Sequence, residues 1–299
     1  MRLAVIDFSS VSISLLVADI GGEKSYRSVA GLRRSVSILD YMTHDGNLSQ
    51  SGIEKCAEEV SYLCNAAENA GAERISIIAT ASMRIIKNRD EVRKRITEKA
   101  GVEVSVLSGR DEAYADYMAN REYSALGHVL MLDIGGVSAE LADLSDPKKK
   151  HMHSLPIGPV ALMSLFPSIY PDSDDIKRIR KRIRKIFVKS EVYPCASFSR
   201  TVITGNDADA LYRIYSDFYS LSPSGLHTMD RKKVKLLLKH LVSSDERSSL
   251  IVRNAPERGR TVLPAFALLY ETMKHFSSDS AIVSPWGVKE GYLRILVEG

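Results

Sequence analysis

The chain has 299 residues, 44% of them hydrophobic and 26% charged, with a net charge of +4. This is the composition of a soluble globular protein long enough for two domains, each with its own core. No apolar run approaches the ~20 residues of a membrane span, the amino terminus lacks the basic-then-apolar layout of a signal peptide, and so mild a charge admits an anionic substrate without implying nucleic acid.

In chain order, Leu3-Ala4-Val5-Ile6 predicts a buried strand leading into Asp7-Phe8-Ser9-Ser10-Val11-Ser12, and the apolar Leu15-Leu16-Val17 returns it as a hairpin. Strand-like residues continue to about Leu39, and Asp45-Gly46-Asn47 marks a turn. With Ser49 as N-cap, Ile53, Cys56, Ala57, Val60, Leu63, Cys64 and Ala67 recur at helical spacing until Gly71. Arg74 to Thr80 reads as a buried strand, Asn88 to Lys99 as a charged amphipathic helix, and Val102 to Leu107 as a strand before a helix near Asp111.

From Tyr123 the pattern repeats. Val129 to Leu132 run into Asp133-Ile134-Gly135-Gly136-Val137-Ser138-Ala139-Glu140, followed by a strand around His153 to Pro156. A basic helix starts near Asp174, with an Ile176, Ile179, Ile183, Ile186 and Phe187 stripe and eight Lys or Arg between Lys177 and Lys189. Strands at Thr201 to Thr204 and Ala281 to Ser284 precede Gly205-Asn206-Asp207 and Pro285-Trp286-Gly287. The expected organisation is α/β, with lobes at 1–122 and 123–299 joined at the end of a helix. Cys56, Cys64 and Cys195 match no zinc pattern; the first two fit the buried face of a helix, as free thiols in a reducing cytoplasm.

The chemistry is expected at the two strand–acid–turn–strand units. Glycines at a tight turn let backbone N–H groups face anionic oxygens, and an acid at the strand end can hold a divalent cation sharing those oxygens. Several stretches in this order and spacing resemble the Ppx/GppA family of exopolyphosphatases and guanosine pentaphosphate phosphohydrolases. They are Ala79-Thr80-Ala81-Ser82-Met83-Arg84, Leu107-Ser108-Gly109-Arg110-Asp111-Glu112-Ala113, Asp133 to Glu140, Ser154-Leu155-Pro156-Ile157-Gly158, and Ser284-Pro285-Trp286-Gly287-Val288-Lys289-Glu290-Gly291.

The resemblance implies a duplicated, two-lobed actin-like ATPase (ribonuclease H-like) fold with an interlobe cleft, here in a short form without the helical C-terminal region of long members. It implies Glu112 as the group that positions or activates water and Glu140 as a second catalytic acid. Arg84, Ser10, Gly135, Gly136, Ser138, Gly205, Asn206 and Lys289 become substrate-binding candidates, and Asp7 and Asp133 ligands of Mg²⁺ or another divalent cation. Polyphosphate or guanosine pentaphosphate is the implied substrate, a homodimer the implied assembly, and no membrane or nucleic-acid partner is expected. Plainer readings stand beside these: Asp111 and Glu112 as helix-start acids, Arg84 paired with Asp90 or Glu91, Asp133 as a turn former, Glu140 as an outward strand residue, the basic helix as a solvated face, and Trp286 as core.

The chain also departs from the family pattern. Where the family reads Asp-Ile-Gly-Ser-Asn-Ser-x-Arg, it has Ser9, Val11 and Ser14 in place of Gly, Asn and Arg; Val137 and Ala139 replace Gly and Thr, and Lys289 replaces Arg. A β-branched Val137 is incompatible with a loop that demands positive φ there. A hydrolase of terminal phosphoanhydrides is therefore weighed against a sensor or scaffold that binds a phosphorylated ligand without turnover, and against a nucleotide-dependent phosphotransferase.

Overall fold

The computed structural model describes residues 1–22, 25–164, 171–205, 207–222, 225–244 and 247–298. The first part of the chain supplies β1 (Arg2–Phe8), β2 (Ser12–Ile20), β3 (Tyr26–Ser35), α1 (Gln50–Asn69), β4 (Arg74–Ala79), α2 (Ala81–Ile85), α3 (Arg89–Ala100), β5 (Val104–Val106) and α4 (Gly109–Asn120). Then come β6 (Val129–Ile134), β7 (Ala139–Asp143), β8 (His153–Leu155), α5 (Pro159–Met163), α6 (Ser173–Lys189), β9 (Arg200–Thr204) and α7 (Ala208–Phe218). The chain finishes with β10 (Thr228–Asp230), α8 (Arg231–Ser243), α9 (Arg247–Asn254), α10 (Val262–His275), β11 (Ser280–Val283) and α11 (Val288–Glu298).

The strands form two sheets, ordered β3-β2-β1-β4-β5 and β10-β11-β9-β6-β7-β8. In the first, β1 is antiparallel to β2, β2 to β3, and β4 runs parallel to β1 and β5. The second repeats this with β6, β7, β8, β9 and β11, and adds β10 at its edge. The duplication read from the two hairpins is thus a duplication of whole sheets.

Alternation on β1 separates two cores. Ala4, Ile6 and Phe8 join a cluster with Ile53, Val60 and Leu63 of α1, while Leu3 and Val5 join Leu16, Ile78, Leu107 and Leu293 of α11. β1 and β6 are buried along almost their whole length, as central strands covered on both faces must be. Ser49 caps α1 by accepting a bond from Gly52 N at 3.2 Å.

The chain divides into two compact units. Residues 1–119 group with α11, and residues 120–287 form the second. This corrects the sequence boundary at its far end: α11, expected in the 123–299 lobe, packs on β1 and β2 because Leu293 completes the apolar face of the first sheet. The residue buried at position 291 must be glycine, since a Cβ there would lie 3.1 Å from the Ala115 Cα and closer still to its carbonyl.

Candidate functional site

Parallel pairing of β1, β4 and β5 brings their carboxyl ends to one edge of the first sheet, and the candidate residues lie there. Asp7 sits opposite Ser14 on β2 and beside Ile78 on β4. The turn after it closes on itself, with Ser9 N and Ser9 Oγ donating to Ser12 O at 3.1 and 2.9 Å, and Ile38 N donating to Ser10 O at 3.1 Å. Ser9, Ser10 and Val11 are not among the described residues with positive φ, so serine in place of glycine costs this turn no backbone strain. Asp7 is buried, and its Oδ1 has no hydrogen-bond partner among the described residues. Burial pushes its carboxyl up to about 6, with Glu290 adding to the rise and the cations Lys289 and Arg33 opposing it. The candidate Lys289 therefore lies within electrostatic reach of Asp7, on the first turn of α11.

Arg84 and Glu112 meet in the same unit. Arg84 Nη1 donates to Leu107 O at 3.0 Å and to Glu112 Oε2 at 2.5 Å, and Glu112 is buried. The two acids at the start of α4 have separate roles. Asp111 accepts from Ser108 N and Oγ while Ser108 Oγ accepts from Asp111 N, a reciprocal cap. Glu112 instead turns inward to the guanidinium. The pairing of Arg84 with Asp90 or Glu91 is not what forms: Asp90 lies by Arg93, and Glu91 accepts from Asn88.

In the second unit, Asp133 stands opposite Glu140 on β7 and beside Thr204 on β9. Glu140 is fully buried rather than outward, because the same oxygen Oε1 accepts from Ser138 Oγ and Ser154 Oγ, each at 2.7 Å. Asp133 is the penultimate residue of β6 and is buried too, which removes the turn-former reading. The turn between them is fastened from below: Val160 N donates to Gly136 O at 2.8 Å and Gly158 N to Val137 O at 3.2 Å. Val137 is not among the described residues with positive φ, so the loop never asks of valine what only glycine gives. Gly135 is required for close approach, since a Cβ would lie 2.9 Å from Ser138 O. Gly205 has φ +92°, and a Cβ there would strike the Asp133 carboxylate and lie 2.7 Å from Ile134 O. Asn206 lies outside the described residues.

Residues beyond the sequence candidates complete this picture. Ser154 and Gly158 stand in a motif quoted above but carried no role there; only register and close approach expose one. Trp286, read as core, is 41% exposed. The stripe of α6 is buried as read, its start is capped by Asp172, and Arg180 and Arg184 reach Glu271 of α10, so part of its charge holds two helices together.

The donors fit a hard divalent cation. Asp133 and Glu140 are buried carboxylates directly opposite across a hairpin, a like-charge arrangement that destabilises a sheet on its own; oxygen ligands of this kind suit Mg²⁺.

A family model described as the Ppx/GppA phosphatase family matches residues 16–298. Exopolyphosphatase 1 of Mycobacterium tuberculosis is 24% identical over 307 residues, covering 98% of this chain and 87% of that protein. Exopolyphosphatase 1 of Mycobacterium leprae is 25% identical over 314 residues, covering 98% and 88%. The crystal structure of the Aquifex aeolicus Ppx/GppA family member matches with a TM-score of 0.81 at 25% identity, over 100% of this chain and 98% of that one. An exopolyphosphatase from Cytophaga hutchinsonii gives 0.87 at 18% identity over 100% and 98%, a likeness of fold. The architecture is the duplicated actin-like ATPase fold expected from the sequence.

Proposed function

Because this chain belongs to the Ppx/GppA phosphatase family, we propose that it is a hydrolase releasing terminal phosphate from inorganic polyphosphate, with guanosine pentaphosphate as the other substrate to test. The observation that carries this reading is Glu112, an acid at a helix start that is not spent on capping but fixed in one orientation by Arg84. Water attacking a terminal phosphoryl group in line must be oriented and must lose a proton near the transition state, and a positioned carboxylate serves both needs.

In this reading Arg84 aims the Glu112 carboxylate and offers its planar cation to phosphate oxygens. Ser10 belongs to the phosphate turn of the first unit, where Lys289 adds charge beside Asp7, and Gly135, Gly136, Ser138 and Gly205 belong to the phosphate turns of the second. Asp133 and Glu140 would hold the divalent cation, which would screen the polyanion and polarise the phosphoryl group when bound. Ser138 and Ser154 fix the rotamer of Glu140 by occupying one of its oxygens.

The test is phosphate release from tripolyphosphate and long-chain polyphosphate, with and without Mg²⁺. Glu112→Gln keeps the size of the side chain and an acceptor for Arg84, and is expected to lower turnover by about 10²–10⁴-fold. Turnover equal to wild type would remove Glu112 from the chemistry. Calorimetric binding of these anions without hydrolysis by the wild-type protein would make the chain a phospho-ligand sensor instead.

A further inference from the structure

The two sheets carry the same three-strand ladder at their functional edge, with different chemistry at each rung. In the second unit it runs Asp133 on β6, Glu140 on β7 and Ser154 on β8. In the first it runs Asp7 on β1, Ser14 on β2 and Arg33 on β3. Residues directly opposite in antiparallel strands share a face, so each trio points to the same side of its sheet.

The second ladder shows that the third strand reaches inward. Even the short Ser154 side chain spans from β8 to Glu140, at 2.7 Å. Arg33 occupies the equivalent rung of the first ladder with a far longer side chain. Neighbouring strands stand about 4.8 Å apart, so a guanidinium on a stem of four bonds can pass over one small residue toward the next strand. Ser14 is that small residue. Arg34, the neighbour of Arg33, is sent by strand alternation to the opposite face, where it pairs with Glu59 of α1 at 2.6 Å.

We propose that Arg33 is a substrate-positioning residue of the first phosphate turn, extending from β3 across Ser14 to grip an anionic oxygen of the bound phosphate chain. It places on the third strand the positive charge that Ser14 does not provide on the second. Arg33 is exposed on the edge strand of its sheet, the side from which a long anion can approach.

This rests on the phosphohydrolase reading above, and the experiment separates the two. Tripolyphosphate binding is measured by calorimetry in a Glu112→Gln background, and kcat and KM for phosphate release in the otherwise native chain. Arg33→Ala is expected to weaken binding and raise KM by about 10- to 100-fold, the loss of one charge-assisted contact, with a smaller effect on kcat. Arg33→Lys keeps the charge without the fork and falls between. Ser14→Arg added to Arg33→Ala restores affinity from the nearer rung. Arg27→Ala, on the same strand but paired with Asp19, leaves both readouts within about twofold. An active wild type whose Arg33→Ala variant binds and turns over equally well overturns the role of Arg33 alone. A wild type that neither binds nor hydrolyses polyphosphate overturns the function, and this role with it.

Discussion

Gly158→Ala adds a single methyl group under the Gly135–Gly136–Val137 turn. The backbone at Gly158 is ordinary, φ −62° and ψ 153°, so alanine is conformationally allowed and the whole effect is steric. A Cβ there would stand 2.5 Å from Gly135 O and closer still to Gly136 O, where ordinary contact begins at 3.4 Å. The turn or the start of α5 must then move by about 1 Å, a displacement that costs on the order of 10²-fold in rate when it falls on groups that position substrate. The same overpacking is worth about 1–3 kcal/mol of stability, because the obstacle is backbone and cannot swing aside like a side chain. The bonds from Val160 N and Gly158 N to the turn carbonyls are strained by the same shift. Urea unfolding gives the stability, and phosphate release from tripolyphosphate gives the rate. An alanine variant with native midpoint and native turnover would refute the argument that this glycine supports the turn.

Three other outcomes follow from the geometry. Gly205→Ala meets both a φ of +92° and the Asp133 carboxylate; it is expected to lose about 2 kcal/mol or more, and an unchanged urea midpoint would contradict the contact. Asp7 holds its proton more tightly when folded, about 6 against an ordinary 3.8. In chelator, the stability it allows is therefore complete below about pH 4 and is lost as pH rises through 6, up to about 3 kcal/mol; Asp7→Asn should flatten that slope, and parallel pH profiles for variant and wild type would disprove it. Glu271→Ala strips the fully buried partner of Arg180 and Arg184; a loss of about 3 kcal/mol is expected, at the low end for a broken buried pair because Arg180 still reaches water, and a calorimetric melt that does not shift would count against it.

Much of the fold was open to inspection in the sequence because central strands announce themselves. Leu3 to Ile6 and Val129 to Leu132 are apolar runs ending in an acid, and their repetition implied the duplication now seen in sheet order. Helix α1 was equally legible, with its cap at Ser49 and its stripe ending before Gly71. What stayed hidden depends on contacts distant in sequence. Nothing local to Leu293 says that it covers Leu3 and Val5, and the boundary at 123–299 missed α11 for that reason. Arg84 offered two nearby acids, yet pairs with one 28 residues away. The substitutions at Ser9 and Val137 looked damaging only on the assumption that their turns need left-handed backbone, which neither residue adopts.

The discontinuity of the first unit has a bearing on biosynthesis. Its sheet is translated early, but one apolar side, with Leu3, Val5, Leu16 and Ile78, is sealed by a helix that leaves the ribosome only after the whole second unit. The usual order, in which an amino-terminal domain finishes folding while the next is still being made, is closed to this chain. Until α11 arrives, that half-covered surface stays exposed to chaperones and to neighbouring nascent chains, so losses during expression should be set by the wait for α11 rather than by the stability of the finished protein.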